Sequence, residues 1–472
     1  MEVASPKFKS NAREALLNET LQGALKNSRG GFVDKRLAAV EDFPQFDELR
    51  DRAVAIKNHV LTNLDHYLDQ FAEQVANVGG QVHFARTPED GVETIINICK
   101  QAGAKRVAKG KSMIGEEMAL NDALEGQGME VIETDLGEYI IQLAKESPSH
   151  IIAPAIHKTR AEITDLFHEH HGKYGLTERV EEVETIVDEA RTVLREHFVS
   201  ADVGITGANF LLADTGASVL VTNEGNGDLT STLPRVHIVT ASIEKVIPSH
   251  NDLSVFLRIL ARSATGQEIS SYTSIYSGPA QSGDMDGPAE YHVVLLDNGR
   301  SKMLQGEFWE MLRCIRCGAC MNHCPVYQSI GGHAYGWVYP GPMGSVWTPL
   351  LVGLQNAANL PNACTLNGRC EAVCPVRIPL PKLLRTLRNQ IFERGLVDWP
   401  SRAGLAMWGL TARHPKLFRL SIGMASWFMS KLGRRWGSIR SLPLDTGWTK
   451  TRDLPSPAGG GFVSRWNSQK KS

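Results

Sequence analysis

Seven of the eight cysteines in this 472-residue chain lie close together, between positions 314 and 374. The first run among them has the spacing C-x2-C-x2-C-x3-C-P, with which bacterial proteins ligate iron–sulfur clusters. Its residues are Cys314, Cys317, Cys320, Cys324 and Pro325. The two-residue gaps let three thiolates surround one face of a cubane cluster, and Gly318 lets the backbone approach the sulfurs. The run therefore predicts a cluster that transfers electrons one at a time.

A second run repeats this register with one ligand missing. Its residues are Cys364, Asn367, Cys370, Cys374 and Pro375, so Asn367 stands where a third cysteine would. In paired runs of this kind the fourth cysteine of each run ligates the other cluster. We therefore expect one [4Fe-4S] cluster to be bound by Cys314, Cys317, Cys320 and Cys374. The second cluster is expected on Cys324, Cys364 and Cys370.

Asn367 leaves one corner of the second cluster without a thiolate. Such a corner either loses its iron, which gives a [3Fe-4S] cluster, or keeps an iron bound to water, hydroxide or a weak oxygen ligand. The alternative ligand is a thiol from elsewhere, either from a partner subunit or from Cys99. The apolar residues Ile95, Ile96 and Ile98 before Cys99 indicate a plain buried thiol instead. The second cluster is therefore predicted to be [4Fe-4S] or [3Fe-4S].

Zinc is the alternative metal, since it also binds four thiolates. Structural zinc sites favour two separated C-x2-C pairs, whereas both runs here close on Cys-Pro. Thiols clustered in a long chain also favour metal ligation over disulfides. Between the runs, residues 331–339 are rich in glycine and aromatic residues, which are expected to shield the clusters from water. His333 in this loop is expected to donate a hydrogen bond rather than to ligate.

The overall composition is that of an ordinary soluble globular protein, with a formal net charge of −2 and 42% hydrophobic residues. This balance indicates no general affinity for nucleic acid or membranes. Residues 1–25 contain several charged side chains and no apolar run like the core of a signal peptide. The most apolar later stretch, 403–429, is interrupted by Arg413, Pro415 and Lys416, so it is not expected to span a bilayer. We expect a cytoplasmic protein without a nucleic-acid partner.

Four segments with different patterns are predicted. Residues 1–75 form a helical lead-in, and residues 76–300 alternate β-rich and helical stretches, as βαβ units on a mostly parallel sheet do. Residues 301–382 form a ferredoxin-type domain, and residues 383–472 form a basic, Trp-rich C-terminal region. The fold class is thus α/β, followed by a helical two-cluster domain and a mostly helical C-terminal region. The predicted strands are Gln81–Ala85, Arg106–Lys109, Met129–Glu133, Ser218–Thr222, Arg235–Thr240 and Tyr291–Leu296, and two predicted helices are Pro88–Gln101 and Glu116–Glu125.

Three polar parts of the α/β region are candidate ligand sites. Lys109, Lys111 and Ser112 lie between a strand and a helix, where an anion can bind or a turn can simply be solvated. Residues 204–226 are rich in Gly, Thr and Asn, and loops at strand ends hold ligands in α/β folds. The other candidates either bind a carboxylate or a proton or form surface ion pairs, and no catalytic residue is assigned among them. They are Glu133, Asp135, Glu138, Tyr139, His150, His157, Lys158 and Arg160.

The C-terminal region differs physically from the rest. From Val376 onward there are 18 Lys and Arg against 4 Asp and Glu, together with six of the nine tryptophans. Tryptophan and arginine are enriched at protein interfaces, and basic residues near a membrane attract anionic lipid. The segment is therefore predicted to dock partner subunits or a membrane, or else to form an aromatic core with a solvated basic face. The tryptophans are Trp399, Trp408, Trp427, Trp436, Trp448 and Trp466.

Three sequence blocks together resemble the family of bacterial lactate utilisation protein B. They are CIRCGACMNHCPVY with the following GGHAYGWVYPGP, ETDLGEYIIQLAKESPSHIIAPAIHKTR, and GITGANFLLADTGASVLVTNEGN. The resemblance covers about residues 50–470, and the joint occurrence of all three blocks makes it specific. It implies a lactate-utilisation α/β domain, a helical ferredoxin-type domain and a family-specific C-terminal region.

The resemblance also implies a role, shared with two companion proteins, in oxidising L-lactate to pyruvate. Asn367 departs from members that carry cysteine at that place, and Cys364 then occupies a ligand position. Lactate releases two electrons, which one-electron clusters can accept singly and pass to a membrane quinone or another carrier. The chain is therefore expected to be one subunit of the oxidoreductase rather than its sole catalytic chain.

Two other functions are compatible with the cysteine runs. The first is a generic electron-transfer adaptor for another oxidoreductase, resembling the iron–sulfur subunits of succinate dehydrogenase or heterodisulfide reductase. Those subunits lack an α/β domain of this kind, which favours lactate utilisation. The second is a carboxylate sensor with redox-switched clusters, but no DNA-binding helix pair or basic recognition helix is evident in the sequence.

Overall fold

A computed structural model describes residues 3–442, 449, 452–457 and 462–470, so Trp448 lies outside the described residues. The chain divides into two compact units, Met1–Gln390 and Ile391–Ser472. The helices of the first unit begin with α1 (Phe8–Leu17), α2 (Glu19–Arg29), α3 (Lys35–Glu41), α4 (Phe46–Thr62), α5 (Leu64–Asn77), α6 (Pro88–Gln101), α7 (Met113–Glu117), α8 (Leu120–Glu125), α9 (Leu136–Leu143), α10 (Arg160–His170) and α11 (Val183–Ser200). They continue with α12 (Asn226–Thr232), α13 (His250–Ala264), α14 (Arg300–Met303), α15 (Ala319–Asn322), α16 (Tyr327–Ile330), α17 (Gly341–Leu351), α18 (Arg369–Ala372) and α19 (Leu380–Glu393).

The centre of the first unit is a six-stranded parallel sheet. Its strands, in spatial order, are β1 (Gln81–Ala85), β10 (Glu290–Leu296), β7 (Val236–Ser242), β4 (Val203–Gly207), β2 (Arg106–Lys109) and β3 (Glu130–Glu133). Every residue of β7 is buried, because helices cover both faces of the sheet. The predicted α/β fold with a parallel sheet is confirmed.

A smaller sheet of four strands lies beside the first. Its order is β8 (Val246–Ile247), β5 (Phe210–Leu212), β6 (Ala217–Thr222) and β9 (Tyr272–Tyr276), and β6 is antiparallel to both neighbours. The predicted strand Ser218–Thr222 therefore belongs to this sheet and not to the parallel one. The reason is the short connection before it, in which Gly216 has a φ of 69° and donates to Leu212 O. Four residues allow a hairpin, whereas a parallel neighbour requires a crossover of a dozen or more.

The predicted helix Glu116–Glu125 is broken into α7 and α8. Ala119 lies between them with a φ of 53°, in the left-handed region that an alanine rarely adopts. The break allows Leu120 and Leu124 to be buried against the core formed with α6.

The helices before β1 contact the cysteine segment. Ser5 donates its hydroxyl to Tyr335 O, and the Gln22 amide donates to Ser329 O at 2.8 Å. Arg36 and Arg50 reach carbonyl groups near Cys374, as described below. The N-terminal segment is thus part of the surroundings of the cysteines rather than only a lead-in.

In its described residues, the second unit contains the helices α20 (Trp399–Arg413) and α21 (Pro415–Leu432), a short pair of strands, β11 (Ser438–Ile439) and β12 (Leu454–Pro455), and the helix Phe462–Gln469. No residue of α20 is buried, and only Ser426 of α21 is. In the part of the chain that the structure describes, every helix is too short or too polar to span a bilayer. The outward-facing apolar side chains include Trp399, Trp408, Trp427 and Trp436.

Candidate iron–sulfur site

The two cysteine runs adopt the same local backbone conformation. Arg316 and Gly318 have φ values of 59° and 74°, and the equivalent Leu366 and Gly368 have 56° and 80°. A short helix follows each loop, α15 in the first run and α18 in the second. A side chain at Gly318 would also lie 2.9 Å from the Ile152 side chain, so glycine is required there for space as well as conformation. The internal repeat read from the sequence is therefore a repeat of structure.

Four thiols form the first group: Cys314, Cys317, Cys320 and Cys374. Burial, together with the neighbouring thiols of Cys374 and Cys314, raises the pKa of Cys317 to about 12. Burial also raises the pKa of Cys320, with contributions from Cys317 and Cys314. All four line one hollow whose other walls are mostly apolar, including Met311, Met343 and Ile378. The fourth cysteine of the second run thus lies with three cysteines of the first.

The other three thiols form the second group: Cys324, Cys364 and Cys370. Burial, with the neighbouring thiols of Cys364 and Cys324, raises the pKa of Cys370 to about 12. Cys364 is partly exposed, and its sulfur accepts a hydrogen bond from Leu366 N at 3.3 Å. Cys370 also contributes to the raised pKa of Cys320, so the two groups are neighbours.

The donor set of both groups fits iron–sulfur clusters. Ile378 N donates to the Cys374 sulfur at 3.4 Å, and backbone N–H groups of Val326 and Tyr327 bond to Cys324. Backbone donors of this kind stabilise thiolate sulfur and tune cluster potentials. Buried thiols that raise one another's pKa values become thiolates when a cation shares the site, and the iron of a bound cluster would supply that charge.

Asn367 takes the place of a cysteine in the backbone pattern. Its side-chain oxygen accepts a hydrogen bond from Arg369 N at 3.0 Å. In the first run the Cys317 sulfur accepts from Ala319 N, which is also two residues further on. The amide oxygen of Asn367 therefore occupies the position equivalent to the Cys317 sulfur.

Cys99 belongs to the core of the α/β region and not to either thiol group. It is buried in the core between α6 and the sheet, and burial alone raises its pKa to about 12. No other thiol contributes to that pKa. The predicted buried thiol is confirmed, and the alternative in which Cys99 completes the second cluster is wrong.

Two buried arginines from the N-terminal helices approach the first group. Arg36 donates to Val373 O at 3.0 Å, and Arg50 donates to Cys374 O at 2.7 Å. Arg36 also acts electrostatically on Cys317 and Cys374. Sequence reasoning missed both residues, because they lie more than 300 positions before the carbonyls they contact. The positive charges of both arginines would partly offset the negative charge of the thiolate ligands.

The loop between the runs is packed with buried aromatic residues. Tyr335, Trp337 and Tyr339 are each at most 6% exposed, which excludes water as the sequence predicted. His333 bonds through Nε2 to Ser147 O at 2.7 Å, so its ring donates a hydrogen bond, as expected.

One further group brings ligand-type atoms of His333, His157 and Glu146 within 4.8 Å of one another. The Lys158 ammonium also forms an ion pair with Glu146 there, at 2.5 Å.

The polar candidates of the α/β region are mostly engaged with one another. Lys109 is fully buried, and its ammonium lies 2.5 Å from Glu133 and 3.1 Å from Glu116. Lys109 is therefore neither an anion site nor part of a solvated turn, because two carboxylates already neutralise it. Lys111 instead donates to Ile152 O, and Ser112 bonds to the Thr240 hydroxyl at 2.7 Å.

The remaining candidates have structural partners too. Asp135 caps α9 by accepting from Glu138 N, and Glu138 is buried with a raised pKa because burial and Glu133 disfavour its charge. Tyr139 pairs with a buried histidine, and His150 bonds through Nε2 to Asn322 Oδ1 at 2.9 Å. Arg160 begins α10. His150 thus connects the α/β region to the cysteine segment.

A cavity of about 260 Å³ lies at the carboxyl edge of the parallel sheet. Residues after β2, β4 and β7 line it, together with Arg316 and Cys317 of the first cysteine run. The predicted segment 204–226 contributes only in part. Thr206, Gly207, Ala208, Asn209, Asn223, Glu224 and Asn226 line the cavity. Asp214, Thr215 and Gly216 lie instead in the hairpin between β5 and β6, with Gly216 against α5.

A buried group of charges, here called the charge network, lies close enough to Cys314 for Lys57 and Lys245 to interact with it electrostatically. Its members are Lys57, Lys245, Arg300, Arg316, Glu117 and Glu244. Arg300 lies 2.7 Å from Glu117, and Arg316 lies 3.1 Å from Glu244. Although burial raises the pKa of Glu244, the two arginines bring it down to about 2. The sequence signal that could have pointed here is Glu244-Lys245, a charged pair directly after the buried strand β7.

Comparison with known proteins agrees with this architecture. A LUD domain profile matches residues 68–296, and a 4Fe-4S dicluster domain profile matches residues 310–378. The "Lactate utilization protein B" of Bacillus velezensis is 42% identical over 100% of this chain and 98% of its own length. The "Uncharacterized electron transport protein YkgF" of Escherichia coli is 42% identical over 97% of this chain and 95% of its own.

A solved structure of a DUF162 family protein from Deinococcus radiodurans matches 49% of this chain and 98% of its own, with 14% identity and a TM-score of 0.28. The full-length relatives show the family. The chain, with its LUD domain followed by a 4Fe-4S dicluster domain, belongs to the lactate utilization protein B family.

Proposed function

We propose that this chain is the iron–sulfur electron-transfer subunit of a cytoplasmic system that oxidises L-lactate to pyruvate with companion lactate-utilisation subunits. The observation that carries the proposal is the division of seven thiols into two neighbouring groups, each containing one cysteine of the other run. The names of the relatives support the pathway and the electron-transfer role. A quinone-linked acceptor at the membrane is the proposed destination of the electrons.

The proposed ligands follow the two thiol groups. Cys314, Cys317, Cys320 and Cys374 hold a [4Fe-4S] cluster, and Cys324, Cys364 and Cys370 hold a [4Fe-4S] or [3Fe-4S] cluster. When bound, the clusters accept and release electrons singly. The chain's own residues exclude water with Tyr335 and Trp337, and they place the positive charge of Arg36 near the first group. We also propose that the domain boundaries lie after residues 75, 300 and 382, as the sequence predicts.

Lactate-dependent reduction of the clusters tests this function. The tagged chain is purified anaerobically with its untagged neighbours, and the visible absorption is recorded after L-lactate is added. We expect bleaching of the charge-transfer bands and formation of pyruvate in matching amounts. If dithionite bleaches the bands but lactate does not, the chain serves another oxidoreductase as a generic electron-transfer adaptor.

Replacing Asn367 by cysteine is expected to give the second cluster a fourth thiolate. The backbone around Asn367 already has the conformation found at Cys317, so the new sulfur needs no rearrangement. We expect the oxidised parent to show the paramagnetic resonance of a three-iron cluster and N367C to lose it. Asn367→Ala, which supplies no ligand, is the matched control. Identical spectra for parent and N367C would show that another ligand already fills the corner.

The second unit presents a surface suited to a companion subunit. Trp399 and Trp408 of α20 and Trp427 of α21 are 79%, 64% and 58% exposed, and the same helices carry Arg and Lys residues. Exposed tryptophans of this kind bury large areas when a protein partner covers them, and guanidinium groups pair with its carboxylates. We propose that a companion subunit docks here.

Deleting residues 400–472 is expected to leave both clusters assembled and to weaken subunit association. No cysteine lies beyond Cys374, so cluster binding does not require this segment. Pull-down with the companion subunits measures the loss, and the triple variant Trp399→Ser, Trp408→Ser, Trp427→Ser should reproduce it. Flotation with anionic vesicles distinguishes a companion subunit from a membrane as the partner of this surface. If the deletion weakens binding to vesicles and not to the subunits, the surface binds the membrane. Unchanged binding in both assays would leave the segment as packing alone.

A further inference from the structure

The cavity at the carboxyl edge of the sheet lies where α/β folds bind small molecules. Strands β2, β4 and β7 are neighbours and parallel, so the residues that follow them meet at one edge. Thr206, Thr240 and Ser112 contribute hydroxyl groups to its lining. Arg316 and Cys317 also belong to its lining, so the cavity borders the first thiol group.

Lys245 contributes a buried amino group to the lining of this cavity. The residue is 7% exposed and lines the cavity. Among the residues that the structure describes, its ammonium has no hydrogen bond or ion pair, whereas Arg300 and Arg316 of the charge network are paired with carboxylates. Burial and the Arg316 guanidinium lower the pKa of Lys245 to about 7, although Glu244 acts in the opposite direction. An anion in the cavity would add a counter-charge and favour the ammonium form.

Asn226 supplies an unpaired hydrogen-bonding group on the same lining. The residue is 9% exposed, and its side-chain oxygen has no partner in the described part of the chain. A ligand hydroxyl would satisfy that oxygen. Lys111, Asp135 and Glu224 also line the cavity, and the two carboxylates disfavour a dianion such as phosphate more than a monoanion. The ligand that fits has one carboxylate and one hydroxyl group.

We propose that this cavity binds a small 2-hydroxy monocarboxylate, with Lys245 pairing with its carboxylate and Asn226 accepting from its hydroxyl. The proposal rests on the proposed function, because L-lactate has both groups. It adds a place for the ligand within this chain, beside the ligands of the first cluster. Lys245 and Asn226 are here binding residues, and no chemical step is assigned to them.

Equilibrium binding of L-lactate and propionate to the anaerobically purified full chain tests the proposal. Propionate has the carboxylate and lacks the hydroxyl, so the parent should bind L-lactate more tightly. Lys245→Met should weaken binding of both ligands by about tenfold or more, because the ion pair is lost. Lys245→Arg should retain part of the affinity. Lys302→Gln, which removes an exposed lysine of α14, should bind as the parent does.

Asn226→Ala provides a second variant that does not alter the buried charge. It should weaken L-lactate binding by roughly three- to tenfold and leave propionate binding unchanged, because only the hydroxyl contact is lost. Visible absorption confirms that each variant keeps its clusters. Inorganic phosphate at equal concentration should not compete.

Several outcomes would overturn the proposal. These are no binding of either carboxylate by the parent, unchanged affinity in both variants, or a shift of the cluster potential in Lys245→Met without a change in affinity. The last would mean that Lys245 serves only the clusters. These outcomes are separate from failure of the proposed function. If the chain binds L-lactate but L-lactate does not reduce the clusters of the complex, the binding site stands and the proposed function fails.

Discussion

Cys317→Ser is expected to remove the first cluster while leaving the second in place. The parent should contain about seven or eight irons per chain with matching sulfide and no stoichiometric zinc, and the variant about four fewer irons. Cys317 is 9% exposed and lies among three other thiols. Serine is a poor ligand for iron, and because the site is buried, water cannot easily replace the lost thiolate. The region should also lose stability, because metal binding supplies folding free energy at such sites.

Iron and sulfide analysis with visible absorption measures the loss, and thermal unfolding measures the change in stability. Cys99→Ala is the matched control, since it removes a buried thiol that lies in the core of the α/β region. Two zincs and no charge-transfer absorption in the parent would contradict the iron–sulfur assignment. Full occupancy of both clusters in Cys317→Ser would contradict the ligand assignment alone.

The local parts of this structure could be predicted from the sequence. Strands β1 and β2 and helix α6 have the predicted bounds, because hydrophobic periodicity and the capping box at Thr87 are local signals. The equivalence of the two cysteine runs was also visible, since the spacing of ligands along the chain determines the loop around them. The left-handed conformations at Arg316 and Leu366 now show that equivalence in the backbone.

Long-range partners could not be predicted. The sequence places Lys109 between a strand and a helix, where an anion can bind or a turn can be solvated. Its partner Glu133 is 24 residues away and becomes its neighbour only through the pairing of β2 with β3. Arg36 was missed because helical periodicity says nothing about what a side chain reaches. Lys245 was missed because the sequence does not show that its ammonium faces a cavity.

Glu117 lies where the α/β region and the cysteine segment share buried charges. Its carboxylate accepts from Arg300 at 2.7 Å, from Asn298 at 2.7 Å and from Tyr339 at 2.6 Å. Tyr339 belongs to the loop between the cysteine runs, and the Arg300 guanidinium stacks near Trp347. This carboxylate therefore links the α/β region to the loop between the cysteine runs.

Glu117→Ala is expected to lower the free energy of unfolding by about 3–5 kcal/mol. Among the described residues, it leaves the fully buried Arg300 with Glu244 as its one remaining ion-pair partner. Urea unfolding followed by circular dichroism under anaerobic conditions measures the change. Glu125→Gln on α8 is the matched surface control and should stay within about 0.5 kcal/mol of the parent. The double variant Glu117→Ala, Arg300→Met should recover part of the loss, since it also removes the unpaired charge. A parent-like unfolding midpoint for Glu117→Ala would mean that apolar packing, and not the charge network, holds the two regions together.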